Sequence, residues 1–108
     1  MSNTEKIRAL NDRLRKHGIG GKIMLTQGVQ ALGEEAILHI MMLMQGHDDF
    51  PEGDDPYGEH DFGAINHHGQ KLFWKVDYYD LAYQMHSLDA ADPKLTNRVL
   101  TIMLAEEY

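Results

Sequence analysis

Between Lys71 and Tyr79 the chain alternates without a break. Leu72, Trp74, Val76 and Tyr78 fall on one side of an extended backbone, and Lys71, Phe73, Lys75, Asp77 and Tyr79 on the other. Side chains repeat every two residues only in a strand, so this run demands a sheet with one face turned to a core. His67-His68-Gly69-Gln70 before it reads as a turn with Gly69 at a positive-φ position, and His60 to Asn66 reads as the partner strand.

The flanking segments follow the helical period. Thr4 to His17 reads as a helix, with Ile7, Leu10 and Leu14 at i, i+3 and i+7 and Arg8, Arg13, Arg15 and Lys16 outside that stripe. Thr4 is a candidate cap, and Gly18-Ile19-Gly20-Gly21 ends the helix. Lys22 to Thr26 reads as a short strand. A second helix lies between Gly28 and Gln45, with Glu34 and Glu35 early in its stronger half. Its later part, Ile37 to Met44, is apolar nearly all round, which asks for burial on several sides as a central core helix or for a second subunit around Met41 to Met44. His39 within it is expected to be a satisfied core or edge histidine. After an irregular stretch from Asp80 to Ala91, Asp92-Pro93 looks like a helix start, with Leu95, Val99, Ile102 and Met103 as the buried stripe. The order α-β-α-β-β-α gives an α+β fold, a small antiparallel sheet of three strands packed against about three helices.

At 108 residues the chain is expected to be one domain, with 1–21 an N-terminal helix and glycine linker and 22–108 the main body. An apolar content of 43% excludes global disorder. The longest apolar run, Ile40 to Met44, is far short of the roughly 20 residues a bilayer requires. Met1-Ser2-Asn3-Thr4-Glu5-Lys6 lacks an apolar signal region, which makes the cytoplasm the default location. The absence of cysteine excludes disulfides, thiolate metal sites and thiol nucleophiles.

Charge is unevenly placed. From Ile23 to Gln70 there are nine acids and no lysine or arginine, so this interval carries −9 against −7 for the whole chain and about +2 for the remainder. Such a block repels nucleic-acid phosphates and favours a basic protein surface or a cation; the bland alternative is a solvated loop that aids solubility. Direct nucleic-acid binding through Arg13, Arg15 and Lys16 of the first helix has little support, since no aromatic residue interleaves the charges.

The chemistry-bearing residues gather in Asp54-Asp55-Pro56-Tyr57-Gly58-Glu59-His60-Asp61-Phe62-Gly63 and in the alternating strand. Asp48 and Glu59 stand at the first and twelfth positions of a calcium-loop spacing with Gly53 at the sixth. Phe50 at the third position and Pro51 after it rule that loop out. His60 and Asp61, as strand neighbours, would point to opposite faces and could not chelate one ion directly. A constellation of His60 or Asp61 with Asp77, plus Glu59 and Tyr57, could orient an imidazole as a base or form a fixed hydrogen-bond array. The candidate catalytic set is therefore Glu59, His60, Asp61 and Asp77. The candidate binding set is Asp54, Asp55, Tyr57, Glu59, His60, Asp61, Trp74, Asp77 and Tyr79. A purely structural reading has Asp55 capping the turn, Tyr57 packing over it and His60 pairing with Asp77 across the hairpin. Ser2 and Ser87 lie in no nucleophile elbow, and no phosphate-binding glycine fingerprint appears. His67-His68 at a turn tip could hold a metal only weakly. No metal and no cofactor is assigned.

Asp54 to Ala64, Phe73 to Asp80, Ser87, Asp89, Ala91-Asp92-Pro93 and Arg98 to Ala105, with Leu25-Thr26-Gln27-Gly28-Val29, together resemble a bacterial family, domain of unknown function 3768, over roughly residues 22 to 108. Proteins of that family are small and cytoplasmic and often lie on plasmids, integrated phages and other mobile elements. The resemblance implies an accessory or anti-defence role and supplies no catalytic assignment. The Met-rich helix and Leu81 to Leu88 depart from the family's usual look.

Three functional readings follow. The first is a non-enzymatic accessory protein of a mobile genetic element that binds a host protein, such as a defence nuclease complex (anti-CRISPR or anti-restriction), through the acidic loop and exposed hairpin face. The second is a small hydrolase or metal-assisted enzyme using the acid/His cluster beside Tyr57 and Trp74. The third is a dimeric nucleic-acid-binding regulator.

Overall fold

The alternating run is the longest strand of the molecule. In the computed structural model, which describes residues 2–108, the order is α1 (Asn3–His17), β1 (Lys22–Leu25), α2 (Gln27–Gln30), α3 (Glu34–Gln45), β2 (Phe62–His67), β3 (Gln70–Tyr79), β4 (Asn97–Leu104) and a 3₁₀ turn (Ala105–Glu107). The fold is α+β with three helices, as expected. The sheet has four strands and not three, in the order β1-β4-β3-β2, and it is mixed: β1 runs parallel to β4, the other pairs antiparallel.

On β3, Leu72, Trp74, Val76 and Tyr78 are buried, as the alternation requires. They meet Leu100, Ile102 and Leu104 of β4, Ile65 of β2, and the inner faces of the helices: Ile7 and Leu14 of α1, Val29 of α2, and Ala36, Ile40 and Met44 of α3. The opposite side of the sheet carries Phe73, Lys75, Asp77 and Tyr79 on β3 beside Val99 and Thr101 on β4, all half-buried. Its apolar end is closed by an aromatic cluster of Phe62, Phe73 and Tyr108.

Three expectations are corrected. The last segment is a strand: within it Arg98, Leu100, Ile102 and Leu104 alternate inward as readily as Leu95, Val99 and Ile102 repeat helically, and β-branched Val99, Thr101 and Ile102 favour the extended form. Asp92 caps only a local turn, its Oδ1 accepting the Lys94 amide at 2.9 Å. The second helix is two, broken at Gly33 with φ 95°. Finally, α3 lies at the surface. Only the Ala36, Ile40, Met44 stripe is fully covered, while Leu38 and Met42 are 67% and 68% exposed. The first helix forms as read, capped by the Ser2 hydroxyl in place of Thr4 and ended by Gly18 at φ 68°. Among the described residues no helix is long and apolar enough to cross a membrane.

Candidate functional site

The segment from His47 to Asp61 has little regular structure of its own, so its shape depends on what fastens it. Much of that fastening comes from α1. Arg8 Nε donates to the Gly58 carbonyl at 2.6 Å, and Asn11 Nδ2 donates to the Glu59 carbonyl at 3.1 Å and to Tyr78 Oη at 2.7 Å. Tyr78 Oη in turn donates to Glu59 Oε1 at 3.4 Å, and buried Arg98 donates through Nε to Asn11 Oδ1 at 2.8 Å and through Nη2 to the Ala90 carbonyl. Arg15 is almost wholly buried. Its Nη1 donates to the Met44 and Gln45 carbonyls at 3.2 Å, and its Nη2 to Asp12 at 3.0 Å. That places a cation on the end of α3 where unpaired carbonyls gather. Of the basic residues on α1, Arg15 is therefore withdrawn from any phosphate contact, while Arg13 and Lys16 stay exposed.

Asp55 caps the corner as read, its Oδ1 accepting the His60 amide at 3.1 Å. His60 differs from expectation. Its φ of 54° is left-handed, so the strand begins only at Phe62, and the strand alternation does not govern the His60 ring. The ring turns to α1, with Nδ1 2.8 Å from Asp12 Oδ1, and stacks on Phe50 at 3.8 Å with 6° between planes. Asp77 pairs instead with Lys75 Nζ at 3.0 Å. The expected His60–Asp77 pair does not form.

The remaining candidates separate into four places. Asp54, Tyr57 and Asp61 line an open groove of about 440 Å³ with Phe62, Lys75 and Tyr108. Asp55 and Glu59 belong to the fastening beneath it. Trp74 is fully buried and is no surface contact; its indole lies over Gly63 on the neighbouring strand. Tyr79 lines a separate depression of about 230 Å³ with Asp77, Gln84 and Met85. Among the described residues, no three of Glu59, His60, Asp61 and Asp77 bring ligand atoms close enough to hold one ion.

The acids crowd one another. Burial first, and then the charge of Asp55, raises the proton affinity of Asp61; burial and then the charge of Asp61 do the same to Glu59. Burial also pushes the Tyr78 phenol above its usual range and holds Arg98 below its own. Among the described residues, Lys75 is the one cation lining the groove. What this geometry offers is an electronegative depression at the edge of an uncovered sheet face.

The family model described as "Protein of unknown function (DUF3768)" matches residues 25–107. The chain belongs to this family. Comparison with curated proteins and with solved structures gives no match. The DUF3768 match includes the groove walls except Tyr108 and the whole of β2, β3 and β4, whereas Arg8, Asn11, Asp12 and Arg15 of α1 lie before it. In this chain, the DUF3768 segment is thus held in shape partly by a helix outside the matched region.

Sequence reasoning missed Lys75, Phe62 and Tyr108 as groove walls and the Asn11–Arg98–Tyr78 network. Asn11 and Arg98 are 87 positions apart, and only a polar residue inside an apolar helical stripe hinted at either. It also missed that His39, expected to be a satisfied core or edge histidine, faces His67 with the two Nδ1 atoms 2.7 Å apart.

Proposed function

We propose that this DUF3768 protein is a non-enzymatic binding protein whose partner is a basic protein surface, engaged by the open sheet face and the acidic groove at its edge. The observation that carries this reading is the groove itself: Asp54 and Asp61 line a concave surface where, among the described residues, only Lys75 offsets them, and Asp61 is held among other acids. A lysine or arginine brought in by a partner would relieve that crowding. In the same loop, Asp48, Asp49 and Glu52 are exposed, and the interval from Ile23 to Gln70 supplies no lysine or arginine. In the finer form of the proposal the protein is a cytoplasmic accessory of a bacterial mobile element. Its partner is a host defence nuclease complex, where the carboxylates occupy positions otherwise taken by phosphates.

Metal-assisted hydrolysis draws less support, because His60 is committed to Asp12 and Phe50 while Asp77 is committed to Lys75. A phosphate-binding role for α1 loses Arg15 to the end of α3. Self-association through α3 is favoured by one specific observation, the exposure of Leu38 and Met42 one turn apart. Sedimentation of wild type against Leu38→Glu/Met42→Glu tests it: concentration-dependent mass lost in the variant supports it, and identical monomers refute it.

The main reading is tested by capture from a host lysate with wild-type protein and with Asp54→Asn/Asp61→Asn, which leaves Asp55 and Glu59 to hold the corner. A specific protein retained by wild type and lost by the variant is expected. Equal capture by both would remove the groove from recognition.

A further inference from the structure

At the far end of β2 from the groove, about 17 Å along the strand, three imidazoles from two elements come together. One ring nitrogen of each of His39, His67 and His68 lies within 4.8 Å of the other two. His39 comes from the middle of α3, His67 ends β2, and His68 opens the two-residue turn to β3. Neighbours on a strand point to opposite faces, and on that ground His67 and His68 could not act together. The turn removes the obstacle. His68 has φ 49° and Gly69 φ 90°, and this left-handed pair folds the His68 ring back beside His67 and His39, with centroids 4.5 and 5.1 Å away. Asn66 Oδ1 fixes the turn by accepting the Gly69 amide at 2.8 Å. The three rings line an open cavity of about 430 Å³ together with Glu35, which lies one turn before His39 on α3.

We infer that His39, His67 and His68 form a binding site for a divalent transition metal of the zinc class, with water or Glu35 at the remaining position. Imidazole nitrogen is a donor that such ions take readily, and three protein ligands with an open fourth position is a known tetrahedral arrangement. The 2.7 Å between the His39 and His67 Nδ1 atoms requires at least one of them to be unprotonated, so a lone pair is already directed into the cluster. Two nitrogens on one zinc stand about 3.3 Å apart at ordinary bond lengths. A small parting of the two rings and a swing of exposed His68 are all the movement needed. Coordination through both Nδ1 atoms moves the proton of the donor ring to its Nε2, with no net change in charge. The site is independent of the acidic groove and of the binding proposed there.

The test uses untagged, chelator-treated protein titrated with Zn²⁺ by calorimetry, with histidine ring ¹⁵N shifts recorded in parallel. One ion per chain is expected, with shifts confined to His39, His67 and His68. His68→Asn, which suits a left-handed turn position and keeps the fold, and His39→Gln should each weaken binding by at least about tenfold. His17→Gln and His86→Gln, exposed elsewhere, should leave it unchanged. Absence of stoichiometric binding, equal loss in the control variants, or binding undiminished in His68→Asn would overturn the inference.

Discussion

Gly63 sits opposite Trp74 in the β2–β3 ladder, and a Cβ at that position would come within 2.6 Å of two atoms of the buried indole. A fully buried ring cannot swing aside, so Gly63→Ala should cost about 1–3 kcal/mol, read by urea unfolding; unchanged stability would mean that the indole does not rest there. The crowded acids give a second expectation at this scale. The folded-state proton affinities of Glu59 and Asp61 are raised, so the stability these groups contribute is fully present below their ordinary values and is lost as pH rises through the folded ones. Asp61→Asn should therefore raise the melting temperature at pH 7, with the gain shrinking towards pH 4. A variant that melts lower at pH 7 would contradict this. Glu107 has the opposite sign. The Thr26 hydroxyl, then the Leu104 amide, hold its carboxyl below the usual range, so its contribution is present at neutral pH and lost on acidification. Asp55 as a cap was legible because an aspartate in a proline- and glycine-rich turn commonly bonds backbone amides a few residues on. The direction of His60 was not, because left-handed backbone at a non-glycine residue leaves no mark in the sequence.

At the scale of elements, Arg15 ties α1 to the end of α3 and packs its guanidinium 5.3 Å from the centre of the Phe50 ring and 5.4 Å from that of Trp74. Arg15→Ala should take the guanidinium donor from the carbonyls at the end of α3, leave Asp12 with His60 alone and cost about 2–4 kcal/mol. Arg13→Ala, exposed on the same helix, should cost less than about 0.5 kcal/mol. Comparable losses in the two variants would refute the clamp. The strand β3 was plain in the sequence because nine consecutive residues obey one period. The strand β4 was obscured because its apolar residues satisfy two periods at once, and Asp92-Pro93 starts turns as readily as helices. The apolar girdle of α3 suggested burial on all sides, but periodicity cannot tell a covered face from one left open. The hairpin was legible as an element, yet its meeting with His39 was not, since that depends on where α3 crosses the sheet.

For the whole molecule, the helices cover one side of the sheet and close the core, and Asp54 and Asp61 line the groove at the edge of the other side. Recognition is proposed for that uncovered side. Site-specific photocrosslinking in the native host tests this most directly, with a crosslinking residue placed at Asp54 or Tyr79 on the open side, or at Lys16 on α1. Adducts to one protein from positions 54 and 79 and none from 16 are expected. Adducts from 16 alone would contradict the assignment.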